Sequence, residues 1–344
     1  MEKETVVIGM SGGVDSSVAA CLLKEEGKEV IGATMLLLDD KKTKQAIEDA
    51  KNICKKLGIK HYIFDLRKEF KKEVIDNFIE AYKSGKTPNP CVNCNKYFKF
   101  GLFYQKAKEL GADYIATGHY AKIKNNRLVM SDVTEKDQSY FLCQIDKEIL
   151  PHILFPLNKY KSKEEIRNLA RTFQLPVSEK KDSQEICFIP KDDYKLFLKD
   201  KNINKKEGNI ILTDKTILGK HQGLYQYTIG QRKGLNISYK EPLYVIKIDT
   251  KTNSLIVGKN KELFKQELFA NNMNYLIKKE EFNNTKLFAK IRSRGELEEV
   301  ESVAEEENNR IHVIFKNKLR AITPGQLIVF YNEKKECLGG AYIE

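Results

Sequence analysis

No apolar run in these 344 residues approaches the ~18–20 residues that a bilayer-spanning helix needs, so no membrane partner is expected. Cysteine is sparse and odd in number. Seven thiols spread over such a chain do not make a disulfide scaffold, and each is expected to be buried, metal-binding or catalytic in a reducing compartment. The N-terminal MEKETVVIGM starts acidic and passes directly into a short apolar strand. It reads as neither a signal nor a transit peptide, and cytoplasmic localisation is the expectation. Internal repeats and low-complexity tracts are also missing. One further absence bears on chemistry. The turn Ser11-Gly12-Gly13-Val14-Asp15-Ser16-Ser17 looks like a phosphate-binding loop, yet it lacks the lysine that a Walker A loop requires.

What is present supports a soluble, multidomain chain. Hydrophobic residues make up 41% and charged residues 31%, enough apolar material for the two or three cored domains that the length suggests. The net charge is +12 and unevenly held: residues 267–344 carry 12 basic against 13 acidic side chains, which leaves +13 on residues 1–266. This implies a polyanionic partner for the first part of the chain, although a lysine-rich composition would give the same total.

The first half alternates strands and helices. Strands are predicted at Thr5–Gly9, Glu29–Leu38, His61–Asp65 and ADYIAT, and helices at Val14–Glu26, Thr43–Leu57, up to about Ser84 and at Lys96–Leu110. Near-continuous apolar strands in βαβα order imply a doubly wound parallel sheet, with ligands at the carboxyl ends of its strands. From Pro151 to Lys206 the chain reads as helical and basic. Near Glu207 the texture turns glycine-rich and β-branched, with a hairpin expected about Lys251-Thr252-Asn253. From about Gln266, runs such as RIHVIFKN and QLIVFYN suit a small antiparallel barrel. The expected domains are therefore 1–206, 207–265 and 266–344.

The glycines of the opening turn allow a sharp bend and close approach to a ligand, its amides form an anion nest, and a helix dipole begins beside it. Without a lysine to escort a γ-phosphate, the loop is better suited to pyrophosphate, which places the chemistry at the α-phosphate. Asp15 is the loop's only carboxylate, a candidate for supporting Mg²⁺. An ordinary glycine turn capping a helix is the bland alternative. Among the cysteines, Cys21, Cys54 and Cys143 sit in apolar positions and read as small buried hydrophobes, and Cys337 receives no role. Cys91, Cys94 and Cys187 stand in polar, loop-like contexts.

The loop SGGVDSS resembles the PP-loop of ATP pyrophosphatases, which activate a substrate oxygen as an adenylate. TPNPCVNCNKYFKFG, ATGHYA, KDQSYFL, DSQEICFI, HQGLYQYTIGQRKGL and TPGQ follow in that order, and together they resemble the tRNA-specific 2-thiouridylases, the MnmA/TrmU family. The resemblance runs from Val7 into the C-terminal barrel. It implies a PP-loop domain, a small β-rich central domain and a β-barrel. It also implies a tRNA-uridine 2-sulfurtransferase that uses ATP and Mg²⁺ on the wobble uridine, in the anticodon arm of Lys, Glu and Gln tRNAs. Sulfur would come from an upstream donor such as a cysteine desulfurase or a relay protein.

Carried over by resemblance, Cys187 is the persulfide carrier and Cys94 the nucleophile, with Lys96 and Lys99 placed to lower the Cys94 pKa. Gly9, Met10, Ser11, Gly12, Gly13, Val14, Asp15 and Ser16 would grip ATP, Met35 would meet the adenine through its backbone, and Gly118 would line the nucleotide. Asn89, Pro90 and Cys91 would contact the target base, with His119 beside the RNA. Lys136, Asp137 and Gln138 would meet the anticodon arm, and Arg292, Ser293 and Gln326 would be contacts from the barrel. Some family members carry Asp where this chain has Cys91. With Cys there, Cys91, Cys94 and Cys187 offer three ligands to a [4Fe-4S] cluster, and persulfide relay and cluster chemistry both stay open. Two rivals differ in kind. A PP-loop ligase or amidotransferase would need no cysteine pair, and a glutaminase segment is not evident. An inert zinc-binding RNA module would need a fourth ligand that the sequence does not display.

Overall fold

The run TVVIG forms β1 (Thr5–Gly9), in which Val6, Val7 and Ile8 are fully buried because helices cover both faces of the strand. The computed structural model describes residues 3–132, 136–180, 186–201, 203 and 206–344. β1 leads through helix α1 (Val14–Glu25) to β2 (Glu29–Leu36), then through α2 (Lys41–Leu57) to β3 (His61–Asp65). After two more helical stretches the chain returns to the other side of β1 as β4 (Tyr114–Ala116). A small hairpin, β5 (Lys122–Lys124) and β6 (Arg127–Val129), precedes β7 (Ile153–Leu154). The result is a wholly parallel five-stranded sheet in the order β3-β2-β1-β4-β7. Its winding reverses between β1 and β4, and the crevice outside that point is where such sheets hold ligands. The Ser11–Ser17 turn and the TGHY turn both emerge there.

Two expectations need correction. The helix expected to begin at Lys96 begins at Pro90 and runs over 90–109, so Cys91 and Cys94 lie on a helix and not on a loop. Proline at the first helical position has its φ preset, and its missing N–H is one that would be unpaired anyway. From Cys94 to Leu102 this helix widens to i→i+5 bonding, a form concentrated at functional sites. The segment expected to be helical from Pro151 is instead short turns, β7, and the helices Lys163–Thr172 and Tyr194–Asp200. β7 is only two residues long and leaves no periodic signature.

Beyond Glu207, β8 (Gly208–Leu212), β9 (Ile217–His221), β10 (Tyr244–Asp249) and β11 (Ser254–Gly258) form a four-stranded sheet in the order β10-β11-β8-β9. The hairpin about Lys251–Asn253 is present: Asp249 Oδ1 accepts from the amides of Lys251 (3.0 Å) and Thr252 (3.1 Å). The last part is a closed antiparallel barrel. It comprises β12 (Phe264–Tyr275), β13 (Phe288–Lys290), β14 (Glu298–Glu305), β15 (Arg310–Arg320), β16 (Leu327–Tyr331) and β17 (Cys337–Ile343). β16 is buried on both faces. Ile328 and Phe330 point into the barrel, while Leu327, Val329 and Tyr331 pack with Val92, Phe100 and Tyr140 of the first domain. That alternation fastens the barrel to the sheet domain. It also brings TPGQ against the chain leading into Pro90. The Thr87 amide donates to Pro324 O (2.8 Å), and Gln326 Nε2 donates to Thr87 O (2.7 Å).

Candidate active site

The Ser11–Ser17 turn is held as an open anion cradle. Gly12 has φ +66°, and a Cβ there would run into the backbone of Ala46, so only glycine fits. Gly13 caps α1 without offering a side-chain acceptor, which leaves the first amides of the helix free for an anion. Ser16 Oγ accepts from the Ser11 amide (3.2 Å), and Ser17 Oγ donates to Gly13 O (2.7 Å), stitching the turn to its own helix. Met35 pairs with Phe64 on β3, while β1 ends its pairing at Gly9 opposite Ala33. Because backbone groups alternate sides along a strand, the Met35 N–H and C=O face the β1 side beyond the end of β1. Those are free-running groups of the kind an adenine edge requires.

Three side chains that sequence reasoning missed converge on this turn. Lys163 Nζ lies 2.6 Å from Asp15 Oδ1, and Tyr120 OH donates to the same oxygen at 2.8 Å. Lys180 Nζ bridges Gly12 O (2.8 Å) and Asp49 Oδ2 (2.6 Å) from the outer side. A lysine thus reaches the loop from about 150 residues away in the chain. One signal was legible. Lys163 stands in the first turn of a helix, where the dipole disfavours cations.

The TGHY turn presses on the loop from β4. A Cβ on Gly118 would lie 2.9 Å from the Ser16 amide nitrogen and 3.0 Å from Asp15. His119 is buried between Phe100 and Phe155. Burial, reinforced by the charge of Lys99, holds its pKa well below the usual imidazole range, so it is neutral. Lys99 Nζ is 3.3 Å from His119 Nε2 and can only donate, so the ring proton sits on Nδ1, 2.8 Å from Thr117 Oγ1.

The thiols lie within the field of the same Lys99 ammonium group. Cys94 is buried, and Cys91 and Cys187 are exposed; all three are free. Phe98, one turn beyond Cys94, and Phe188, next to Cys187, both lean edge-on against Phe70, at 5.4 and 6.0 Å between ring centroids. This shared ring docks the Cys187 segment on the Cys94 helix. The DSQE part of its motif lies outside the described residues. Burial pushes the Cys94 thiol up to about 12, opposed by Lys99, with Cys187 and Cys91 adding to the rise. Cys91 and Cys187 are open to solvent on one side but crowded by protein on the others, and that desolvation raises both, again opposed by Lys99. Lys96, expected to share this task, instead donates to Gln144 Oε1 (3.2 Å) and lies over Tyr97. Before RNA binds, Cys94 is therefore a protonated thiol, and its alkylation by iodoacetamide should accelerate about 100-fold between pH 7 and 9, tenfold per unit. Peptide mass spectrometry reads this directly, and a plateau before pH 8.5 would contradict the assignment.

The residues expected to meet RNA divide into two groups. Asn89, Cys91, Lys136, Arg292 and Ser293 keep at least part of their surface open. Pro90 and His119 are buried, and three others have side chains already engaged within the protein. Asp137 accepts from the amide (3.3 Å) and hydroxyl (2.7 Å) of Ser139 and from the Ser131 amide (2.8 Å). Gln138 Oε1 accepts from the Tyr120 amide (2.8 Å), and Gln326 holds Thr87. These act as supports for the surface beside them.

Two inorganic groups were expected. Asp15 offers one carboxylate beside a phosphate cradle, which fits Mg²⁺ bound mainly through substrate phosphates. For the cluster, no group of three or more His, Cys, Asp or Glu side chains among the described residues is arranged to hold a metal. Cys91, Cys94 and Cys187 as placed do not fit an iron–sulfur cluster.

Three family models match the chain in succession. One described as the tRNA methyl transferase HUP domain covers residues 4–191, the tRNA methyl transferase PRC-barrel domain covers 195–259, and the Aminomethyltransferase beta-barrel domain covers 265–343. The chain is 46% identical over 343 residues to the tRNA-specific 2-thiouridylase MnmA 1 of Fusobacterium nucleatum, covering 98% of this chain and 93% of that protein. It is 44% identical over 359 residues to the tRNA-specific 2-thiouridylase MnmA of Clostridium botulinum strain Eklund 17B, covering 100% and 99%. The protein of the same description from Halothermothrix orenii is 43% identical over 354 residues, covering 98% of each.

Proposed function

The chain belongs to the family of tRNA-specific 2-thiouridylases, and on that premise we propose that it converts the wobble uridine of tRNA to 2-thiouridine by adenylation and persulfide transfer. One observation carries the reading. Gly118 lies against the pyrophosphate loop, its neighbour His119 is bonded to Lys99, and Lys99 acts on all three thiols. Activation and sulfur transfer can thus act on one base held between them. Two of the matching domain models are described in terms of methyl transfer, but methylation needs neither a pyrophosphate loop nor paired thiols.

The C2 carbonyl of uridine is a poor electrophile, and its oxygen a very poor leaving group. In the proposed first step O2 attacks the α-phosphorus of ATP. The bond from that phosphorus to the β-phosphoryl oxygen breaks, and pyrophosphate departs with the electron pair. The loop from Gly9 to Ser16 holds the phosphates through its amides and Met35 the adenine; Asp15 would support Mg²⁺, which would supply positive charge beside the phosphates. The terminal sulfur of a Cys187 persulfide then attacks C2. The Cys94 thiolate attacks Cys187 Sγ and breaks its bond to the transferred sulfur. That sulfur retains the electron pair and collapses to the thiocarbonyl as AMP leaves. A Cys94–Cys187 disulfide remains, to be reduced and recharged by an upstream sulfur donor such as a cysteine desulfurase or relay protein.

We assign residues 1–206 as the catalytic domain, 207–265 as the central domain and 266–344 as the barrel. The +13 carried by residues 1–266 supplies the attraction for the tRNA backbone. The near-neutral barrel positions the anticodon loop through Arg292 and Ser293. Asn89 and Cys91 would face the target base and Lys136 the anticodon arm, in tRNAs for Lys, Glu and Gln. The test is product analysis. With unmodified tRNA and a sulfur source, AMP and pyrophosphate should appear in step with 2-thiouridine, and ADP as the main product would refute the reading.

A further inference from the structure

The loop lacks a lysine in its own sequence, and the fold brings one to it. We propose that Lys163 takes the place of the Walker lysine: it binds the β-phosphoryl end of ATP and holds pyrophosphate as it departs. The inference rests on the adenylation reading and adds a residue to it. Lys163 Nζ lies 2.6 Å from Asp15 Oδ1, with its side chain only 12% exposed. Its position is electrostatically odd. The helix Lys163–Thr172 begins with this cation, where unpaired amides and the dipole favour anions; Ser162 at the cap and Glu164 and Glu165 behind it obey that preference. Asp15 sits in the first turn of α1, whose own amides have no side-chain cap. The uncapped first turn of α1 and the Lys163 ammonium group therefore meet at one carboxylate. That positive potential is sized for a polyanion, with Asp15 as its placeholder.

When ATP binds, Lys163 exchanges the carboxylate for phosphoryl oxygens, and Asp15 is released to support Mg²⁺. As the bond between the α-phosphorus and the bridging oxygen breaks, the ammonium meets the charge accumulating on pyrophosphate. Lys180 has a different task. Its bonds to Gly12 O and Asp49 buttress the turn from outside.

The test compares Lys163→Gln, which keeps an amide donor for Asp15 but removes the charge, with Lys163→Arg, which keeps the charge. Calorimetry on the full chain measures inorganic pyrophosphate and AMP separately, with Mg²⁺, below the melting point of each protein. Lys163→Gln should bind pyrophosphate about 10- to 100-fold more weakly while AMP changes by less than about twofold, and Lys163→Arg should stay within about fivefold of the unaltered protein for both. Unchanged pyrophosphate affinity in Lys163→Gln overturns the proposal. Equal loss of AMP and pyrophosphate overturns it too, because that outcome means the loop itself has collapsed. If the unaltered enzyme releases ADP in place of AMP, the adenylation reading fails instead, and the calorimetry still decides whether Lys163 binds the phosphates.

Discussion

Cys94→Ser and Cys187→Ser should each reduce 2-thiouridine formation by at least about 10³-fold, because a hydroxyl carries no transferable sulfur and is a feeble nucleophile at neutral pH. The two variants should part company upstream. Cys187 lies on a segment docked through Phe188 on Phe70, and activating O2 needs the loop and bound tRNA but no thiol, so Cys187→Ser should still release pyrophosphate when tRNA is added. Nucleoside mass spectrometry reads the first effect and a pyrophosphate assay the second. Loss of both activities in Cys187→Ser would show that adenylation needs the thiol and would undo the order of steps. Cys91→Asp should remain active, since the relay uses only two thiols. Iron analysis of protein purified without oxygen separates this from cluster chemistry, in which removal of any of the three cysteines would bleach a visible band.

Gly118→Ala should lower kcat/KM for ATP by about 10- to 100-fold, because a methyl group there displaces the loop by a fraction of an ångström and misplacement of about 1 Å costs about 100-fold. The atoms it would meet are the Ser16 nitrogen at 2.9 Å and the Asp15 carbonyl carbon at 3.0 Å, which are backbone and cannot swing aside. The fold should survive, since overpacking one methyl group costs about 1–3 kcal/mol. Steady-state kinetics with varied ATP, together with a melting curve, checks both parts. An alanine enzyme with unaltered ATP kinetics would mean that the TGHY turn does not bear on the loop during turnover.

Much of this was legible in local sequence. β1 occurs where its apolar run predicts, because a strand buried on both faces has little choice of residue. β3 also falls at its predicted bounds, although it is an edge strand that leaves Tyr62 and Ile63 exposed. The loop glycines, the two cysteine motifs and the alternation of the barrel strands were readable for the same reason: each is a constraint exerted within a few residues. The Cys94 helix starts six residues before the expected Lys96, at Pro90, because the polar residues about Cys91 and Cys94 resemble a loop while the start signal is a single proline at the first helical position.

What the tertiary structure alone decided is which distant groups share a site. Sequence offered both Lys96 and Lys99, just beyond Cys94, but only Lys99 acts on the thiols, since helical geometry turns Lys96 toward Gln144. His119 was expected at the RNA surface, and packing between Phe100 and Phe155 made it an internal brace. β7 was invisible because two residues carry no period, and it exists because β4 offers it an open edge. Lys163 stands 148 positions from Asp15, a separation over which sequence carries no contact information. Only the folding of the helix Lys163–Thr172 against α1 brings its charge to the loop that had none of its own.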